Sequence, residues 1–152
     1  MVESSFVVRQ AELSDAESLK QLFDGYRVFY EQKSDPAAAG AFMSERLING
    51  DSTIFMAVDE EGAGLGFTQL YPLFSSVRMR RIWLLNDLYV ASDARRRGVA
   101  HRLMMHAQKW VRSQGGAGLE LATAVDNDAA KSVYHDLGWK LDTEYHHYSI
   151  TV

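Results

Sequence analysis

The sequence predicts a mixed α/β fold, α+β in the make-up of its sheet, with elements in the order β-α-α-β-β-β-α-β-α-β-β and helices on both faces. Three observations predict it. Short apolar runs alternate with amphipathic stretches of helical period. Glycines and capping residues punctuate them at spacings that suit a compact alternation of strands and helices. Residues 82–90 are apolar on both alternations, as a central strand covered on both faces must be. At 152 residues, 47% hydrophobic and 24% charged, the chain reads as one domain, 1–152, large enough to bury a core without staples.

Phe6, Val7, Val8 and Arg9 form the first strand. Ser14-Asp15-Ala16-Glu17 matches a capping box, so a helix is expected to begin near Asp15, with Leu19, Leu22, Phe23 and Tyr26 as its apolar stripe. Pro36 suits the first turn of a second helix and Asn49-Gly50 its stop, with Phe42, Met43, Leu47 and Ile48 facing inward. Residues 53–58 and 64–73 are β-rich and joined by Asp59-Glu60-Glu61-Gly62, the pattern of a hairpin. After the strand at 82–90 comes a helix from about 98 to 114, in which Val99, Leu103, Met104, Ala107, Trp110 and Val111 recur at helical spacing before Gly115-Gly116 ends it. Residues 119–125 make another strand. Asp126 or Asn127 caps a short helix with Ala130, Val133, Tyr134 and Leu137 on its inner side, and Gly138 stops it. Residues 139–143 and 146–152 are expected to pair as the last two strands.

Composition narrows the function classes. The chain has no cysteine, which removes disulfides and thiolate metal sites. No apolar run approaches membrane-spanning length and the N-terminus does not read as a signal, so a cytoplasmic protein without a membrane partner is expected. A formal net charge of −4 argues against nucleic acid as partner and suits cationic substrates. His101 and His106 fall off a common helix face, and His146 and His147 alternate across a strand, so no metal is predicted.

Residues 95–100, Arg-Arg-Arg-Gly-Val-Ala, follow the apolar strand and open a helix. Helix N-termini present backbone N–H groups and the positive end of the dipole, and Gly98 and Ala100 keep side chains clear of them. Successive N–H groups from Arg96 through Gly98, Val99, Ala100 and His101 can cradle a phosphate, with Arg95, Arg96 and Arg97 adding charge-assisted bonds or simply remaining solvated. Charge and spacing do not say which phosphate ligand is bound.

Two motifs narrow it. Arg95, Gly98 and Ala100 make Arg-x-x-Gly-x-Ala; Asn127, Ala130, Tyr134, Gly138 and Trp139 make Asn-x-x-Ala-x-x-x-Tyr-x-x-x-Gly-aromatic. In this order, with a strand before the first and another between them, the chain resembles the GNAT superfamily of acetyl-CoA-dependent N-acetyltransferases from about Phe6 to Val152. The segment Asn86-Asp87-Leu88-Tyr89-Val90 is nearest the branch that acetylates polyamines, diamines and basic protein tails. The resemblance implies a mostly antiparallel sheet of about six to seven strands and a coenzyme A pyrophosphate on the arginine loop. It also implies a bulge near Leu88 and Tyr89 that splays this strand from the one at Leu119, with the pantetheine arm pairing to Leu88 and Val90. Homodimers are common in the superfamily, and the β-prone stretch 145–152 is suited to pairing across a subunit boundary.

The implied chemistry is attack of a neutral amine on the thioester, the oxyanion being held by an N–H near Leu88 or Tyr89. Tyr134 stands at the position of the general acid that protonates the leaving sulfur. Asn127 caps its helix, binds the pantetheine arm, or does both. Where many family members offer a glutamate base, this chain has Asn86. Asp87 is the nearest carboxylate, yet strand alternation turns it to the opposite face unless a bulge redirects it, and a water held by Asn86 is an equal alternative. Tyr26, Phe29 and Tyr30, with Asp24, Glu31 and Asp35 near them in sequence, either hold an alkylammonium or pack as core beneath solvated acids. Arg78, Arg80 and Arg81 suit an amino acid carboxylate, or merely guard a strand. The departure at Asn86 keeps a second class open beside the enzyme, a non-catalytic acyl-CoA-binding module on the same fold.

Overall fold

The computed structural model describes residues 5–152, which fall into two compact units dividing between Ala122 and Thr123. The first unit contains β1 (Phe6–Gln10), α1 (Ala16–Phe29), α2 (Pro36–Asn49), β2 (Thr53–Asp59), β3 (Gly64–Ser75), β4 (Arg80–Val90), α3 (Val99–Ser113) and β5 (Leu119–Glu120). The strands lie in chain order, β1 to β4 antiparallel and β5 parallel to β4.

Period-two alternation in β2 explains why helices cover both faces. Ile54, Met56 and Val58 join Leu19, Leu22 and Phe23 of α1 and Met43 of α2 in one buried cluster. Phe55, between them, turns the other way and meets His106 and Trp110 of α3 at ring separations of 4.7 and 5.7 Å. Helix α1 starts at Ala16 but not through Ser14 and Glu17. Asp15 accepts the N–H of Glu12 at 2.8 Å and both ends of the Arg9 guanidinium at 2.8 Å. These bonds close a short 3-10 turn over Leu13–Asp15 that leads into α1, with the charged pair of Arg9 and Asp15 holding it. Asp35 caps α2 as the proline at its first position requires, by accepting the N–H of Ala38. Ile48, expected inside, is 69% exposed because it lies one step off the buried row of Ala39, Met43 and Leu47.

The sheet has five strands, not six to seven. The strand expected over 119–125 is reduced to Leu119 and Glu120, which pair with Trp83 and Leu84. In the second unit, α4 (Asp128–Asp136) begins at Asn127, whose side chain accepts the N–H of Ala130 at 3.3 Å. The final strand pair is not formed among 139–152. The Asp142 carboxylate instead accepts the N–H groups of Glu144 and Tyr145, so a local turn takes donors that a ladder would have used. The inner residues expected on α4 are only half-buried. No helix among the described residues is long and apolar enough to cross a membrane.

Phe55 is 1% exposed and joins the central sheet to α3. Phe55→Ala is expected to lower unfolding stability by about 3–5 kcal/mol, read from urea denaturation.

Candidate active site

The site is set by one extra residue in β4. Gln69 of β3 lies opposite Asp87, but the next residue, Leu70, lies opposite Leu85, so Asn86 has no partner and the strand bulges there. The bulge expected near Leu88 and Tyr89 is therefore absent from those positions; they pair regularly with Thr68 and Phe67. The displaced backbone is held from β3, where the buried Thr68 donates its hydroxyl to the Asp87 carbonyl at 2.8 Å.

A bulge inverts alternation beyond it. Trp83 faces α3, its ring 5.2 Å from that of Trp110. Asp87, four residues on, would share that face in a regular strand. It instead lies with Gln69 and Asn86 on the side of α1, and Tyr89 follows it, so close to α1 that a Cβ on Gly25 would stand 2.7 Å from the Tyr89 hydroxyl.

Asp87 is 2% exposed. One carboxylate oxygen accepts the Gln69 amide N–H at 2.5 Å and the other that of Asn86 at 3.0 Å. Burial pushes its pKa above the ordinary carboxylate value, against the opposing pull of hydrogen bonds from Gln69, Tyr26 and Asn86. The same pocket disfavours phenolate. Burial raises Tyr71 to about 12, with Asp87 adding to the shift, and raises Tyr26 further still. The Tyr26 hydroxyl also lies 3.4 Å from the carbonyl oxygen of Asn86. Its ring packs on Phe23, Tyr30 and Phe67 at 5.9, 5.0 and 6.0 Å. Tyr26 is thus both core packing and a polar group at the site, whereas Phe29 and Tyr30 are exposed. Two of the nearby acids have structural duties: Asp24 accepts the Ser34 hydroxyl and the Asp35 N–H, and Asp35 caps α2.

Beyond Leu84 the edge of β4 that faced β5 has no strand beside it among the described residues of the first unit. Ala91 donates its N–H to Leu65 on the β3 side at 2.9 Å. Alternation therefore turns the backbone groups of Leu88 and Val90 to the open edge and those of Tyr89 into the sheet. The Val90 carbonyl accepts Arg95 Nε at 3.2 Å, and the Arg95 guanidinium lies 5.8 Å from the Phe29 ring. Past Arg95 the loop takes left-handed backbone at Arg96 (φ 65°) and Gly98 (φ 75°). A Cβ at Gly98 would meet nothing within 4 Å. The first bond of α3 runs from the Arg102 N–H to the Gly98 carbonyl, so the N–H groups of Val99, Ala100 and His101 have no acceptor within the helix. The arginines are not equivalent, for Arg96 is exposed while Arg97 is half-buried with its guanidinium 6.0 Å from the Phe6 ring.

In the second unit the Tyr134 ring lies 6.1 Å from that of Trp139, whose N–H bonds the Tyr134 carbonyl. Sequence reasoning placed Tyr71 at the start of a segment, 71–81, expected from the resemblance to wall the acceptor side, and missed Gln69 and Ser52. A signal existed, since Gln69 sits two residues after Phe67 on an inward face, and a polar side chain there requires a partner.

Residues 16–139 match the Acetyltransferase (GNAT) family. An uncharacterized N-acetyltransferase of Bacillus subtilis (strain 168), YhfO, is 45% identical over 145 residues, 95% of this chain and 97% of its own length. A crystal structure of a probable acetyltransferase superposes with a TM-score of 0.91 at 40% identity, covering 96% of this chain and 97% of the other. An aminoglycoside N-acetyltransferase solved in complex with CoA has a TM-score of 0.79 at 21% identity, over 98% and 97% of the two chains, and so shares the fold. The chain belongs to the GNAT family of acetyltransferases, and it is an N-acetyltransferase by class.

Because the fold raises the Asp87 pKa, the native state holds this proton more tightly than the unfolded chain does. Native stability from this group is full below the unfolded carboxyl pKa and declines as pH rises through the folded one. The stability of Asp87→Asn minus that of the wild type is therefore expected to increase from pH 4 upward and then level off, measured by urea unfolding across pH.

Proposed function

We propose that the chain transfers an acetyl group from acetyl-CoA to a primary amine of a small molecule or basic peptide, small polyamines and diamines foremost. The observation that carries this reading is the buried Asp87 carboxylate, turned by the bulge toward Tyr26 where β4 parts from β5. An amine that arrives as ammonium must lose a proton before it attacks. A desolvated carboxylate is a stronger base than an exposed one, which suits Asp87 to take that proton. Asn86 offers no basic atom and donates its amide to Asp87, so it supports the base and binds acceptor or water with its exposed side.

Acetyl-CoA fits the residues present, and supplies an acyl group activated as a thioester. The outward backbone groups of Leu88 and Val90 suit the amides of its pantetheine arm, in the manner of an added strand. The N–H groups of Val99, Ala100 and His101, beside the left-handed Arg96 and Gly98, suit its pyrophosphate. In this reading the Leu88 N–H polarises the carbonyl. Asp87 first receives the ammonium proton; the neutral nitrogen then bonds to the carbonyl carbon as the carbon–sulfur bond breaks, Tyr134 gives its phenolic proton to the sulfur, and the second proton shed by the acetylated nitrogen returns through solvent to the Tyr134 phenolate. Asn127 caps the helix that bears Tyr134.

The test is thiol release from acetyl-CoA across polyamines, diamines, amino acids, aminoglycosides and basic peptides. Amine-dependent release is expected, and Asp87→Asn should lower kcat/KM by about 10²–10⁴-fold, the usual scale of general-base loss. Tight acetyl-CoA binding without amine-dependent release would instead mark an acyl-CoA-binding module. Tyr134→Phe is expected to lower kcat by roughly 10²-fold when chemistry limits turnover; unchanged turnover would remove Tyr134 as the acid.

A further inference from the structure

We infer that Gln69, anchored by Ser52, is a positioning residue that fixes the Asp87 carboxyl group and favours its ionised form for the incoming amine. This rests on the reading of Asp87 as the base. Gln69 is fully buried in the middle of β3. A buried amide has to satisfy two unlike ends. Its Oε1 accepts the Ser52 hydroxyl at 2.8 Å, and its Nε2 donates to Asp87 Oδ2 at 2.5 Å. The remaining neighbour of Nε2 is the Met43 sulfur at 4.0 Å, a weak acceptor.

Ser52 anchors the far end of the amide, and the carboxylate sets its direction. A reversed amide would bring Oε1 against the carboxylate, acceptor on acceptor, whereas the Ser52 hydroxyl can bond either end. With the carboxylate ionised Gln69 has one favoured orientation, and that orientation presents a donor. Asn86 Nδ2 holds the second carboxylate oxygen at 3.0 Å, so the plane of the group is fixed from both sides. The other groups that face Asp87 are the Tyr26 hydroxyl from α1 and, on β3, Tyr71, which also feels Arg46 and Asp51. Tyr26 favours the ionised form as Gln69 does. Gln69 is the donor fixed by a second residue outside the pocket's aromatic wall.

The experiment is a carbon-13 NMR titration of the Asp87 carboxyl in wild type, Gln69→Leu and Ser52→Ala, run beside the pH profile of kcat/KM for the best amine. Losing one charge-assisted donor is expected to raise the Asp87 midpoint by about one to two pH units in Gln69→Leu. Ser52→Ala should move it less, in the same direction. The ascending limb of kcat/KM should shift by the same amount as the midpoint, which a merely structural role would not produce. An unchanged Asp87 midpoint in both variants would overturn the inference. A midpoint that moves while the limb stays would uphold the Gln69 to Asp87 linkage and overturn Asp87 as the base. If Gln69→Leu does not fold, Ser52→Ala decides alone, since its side chain is only half-buried.

Discussion

The pairing of β3 with β4 slips by one residue at Asn86, and the rest of the site depends on that slip. Below it β4 is an ordinary interior strand, bonded on one edge to β3 and on the other to β5, with Trp83 packed on α3. Above it the strand keeps β3 but no longer has β5, and its side chains have exchanged faces. A single extra residue thus does what substitution in a regular strand cannot: it turns a carboxylate from the α3 face to the α1 face, just past the point where β5 ends.

Placing a carboxylate in that pocket is costly, and the surroundings show how the cost is limited. A buried ionisable group without partners would neutralise or unfold the region. Here the partners come from three elements: Gln69 on β3, Asn86 on β4 and Tyr26 on α1. Desolvation still outweighs them in setting the direction of the pKa, which leaves the group more basic than a surface aspartate. The aromatic packing around Tyr26 supplies the low-polarity wall, so core and site are built from the same side chains.

Much of this was legible in the sequence because it rests on local signals. The element order through α4, the α3 start at Gly98 and the Asn127 cap follow from periodicity and capping residues. The place of the bulge did not follow, because register is a property of two strands and neither 64–73 nor 82–90 encodes it alone. Asp87 therefore read as facing away from Asn86 and Leu84, with only the alternative of a bulge to redirect it. Gln69 was hidden for the same reason: its importance appears only once β3 is set against β4. The last two strands failed differently. Residues 139–152 have strand-like composition, but Asp142 bonds the backbone just after it and competes with pairing.

Gly25 carries a consequence for the aromatic wall of the site. A side chain there would meet the Tyr89 hydroxyl, so the phenol would have to shift before α1 could carry one. Glycine inside a helix costs about 1 kcal/mol relative to alanine, and the close contact is what that cost secures. Tyr26 is the next residue along the helix, and it moves with the helix axis. A change at position 25 therefore acts first on the Tyr89 phenol, beside Tyr26, while the amides of Gln69 and Asn86 that hold Asp87 lie on the sheet and stay in place.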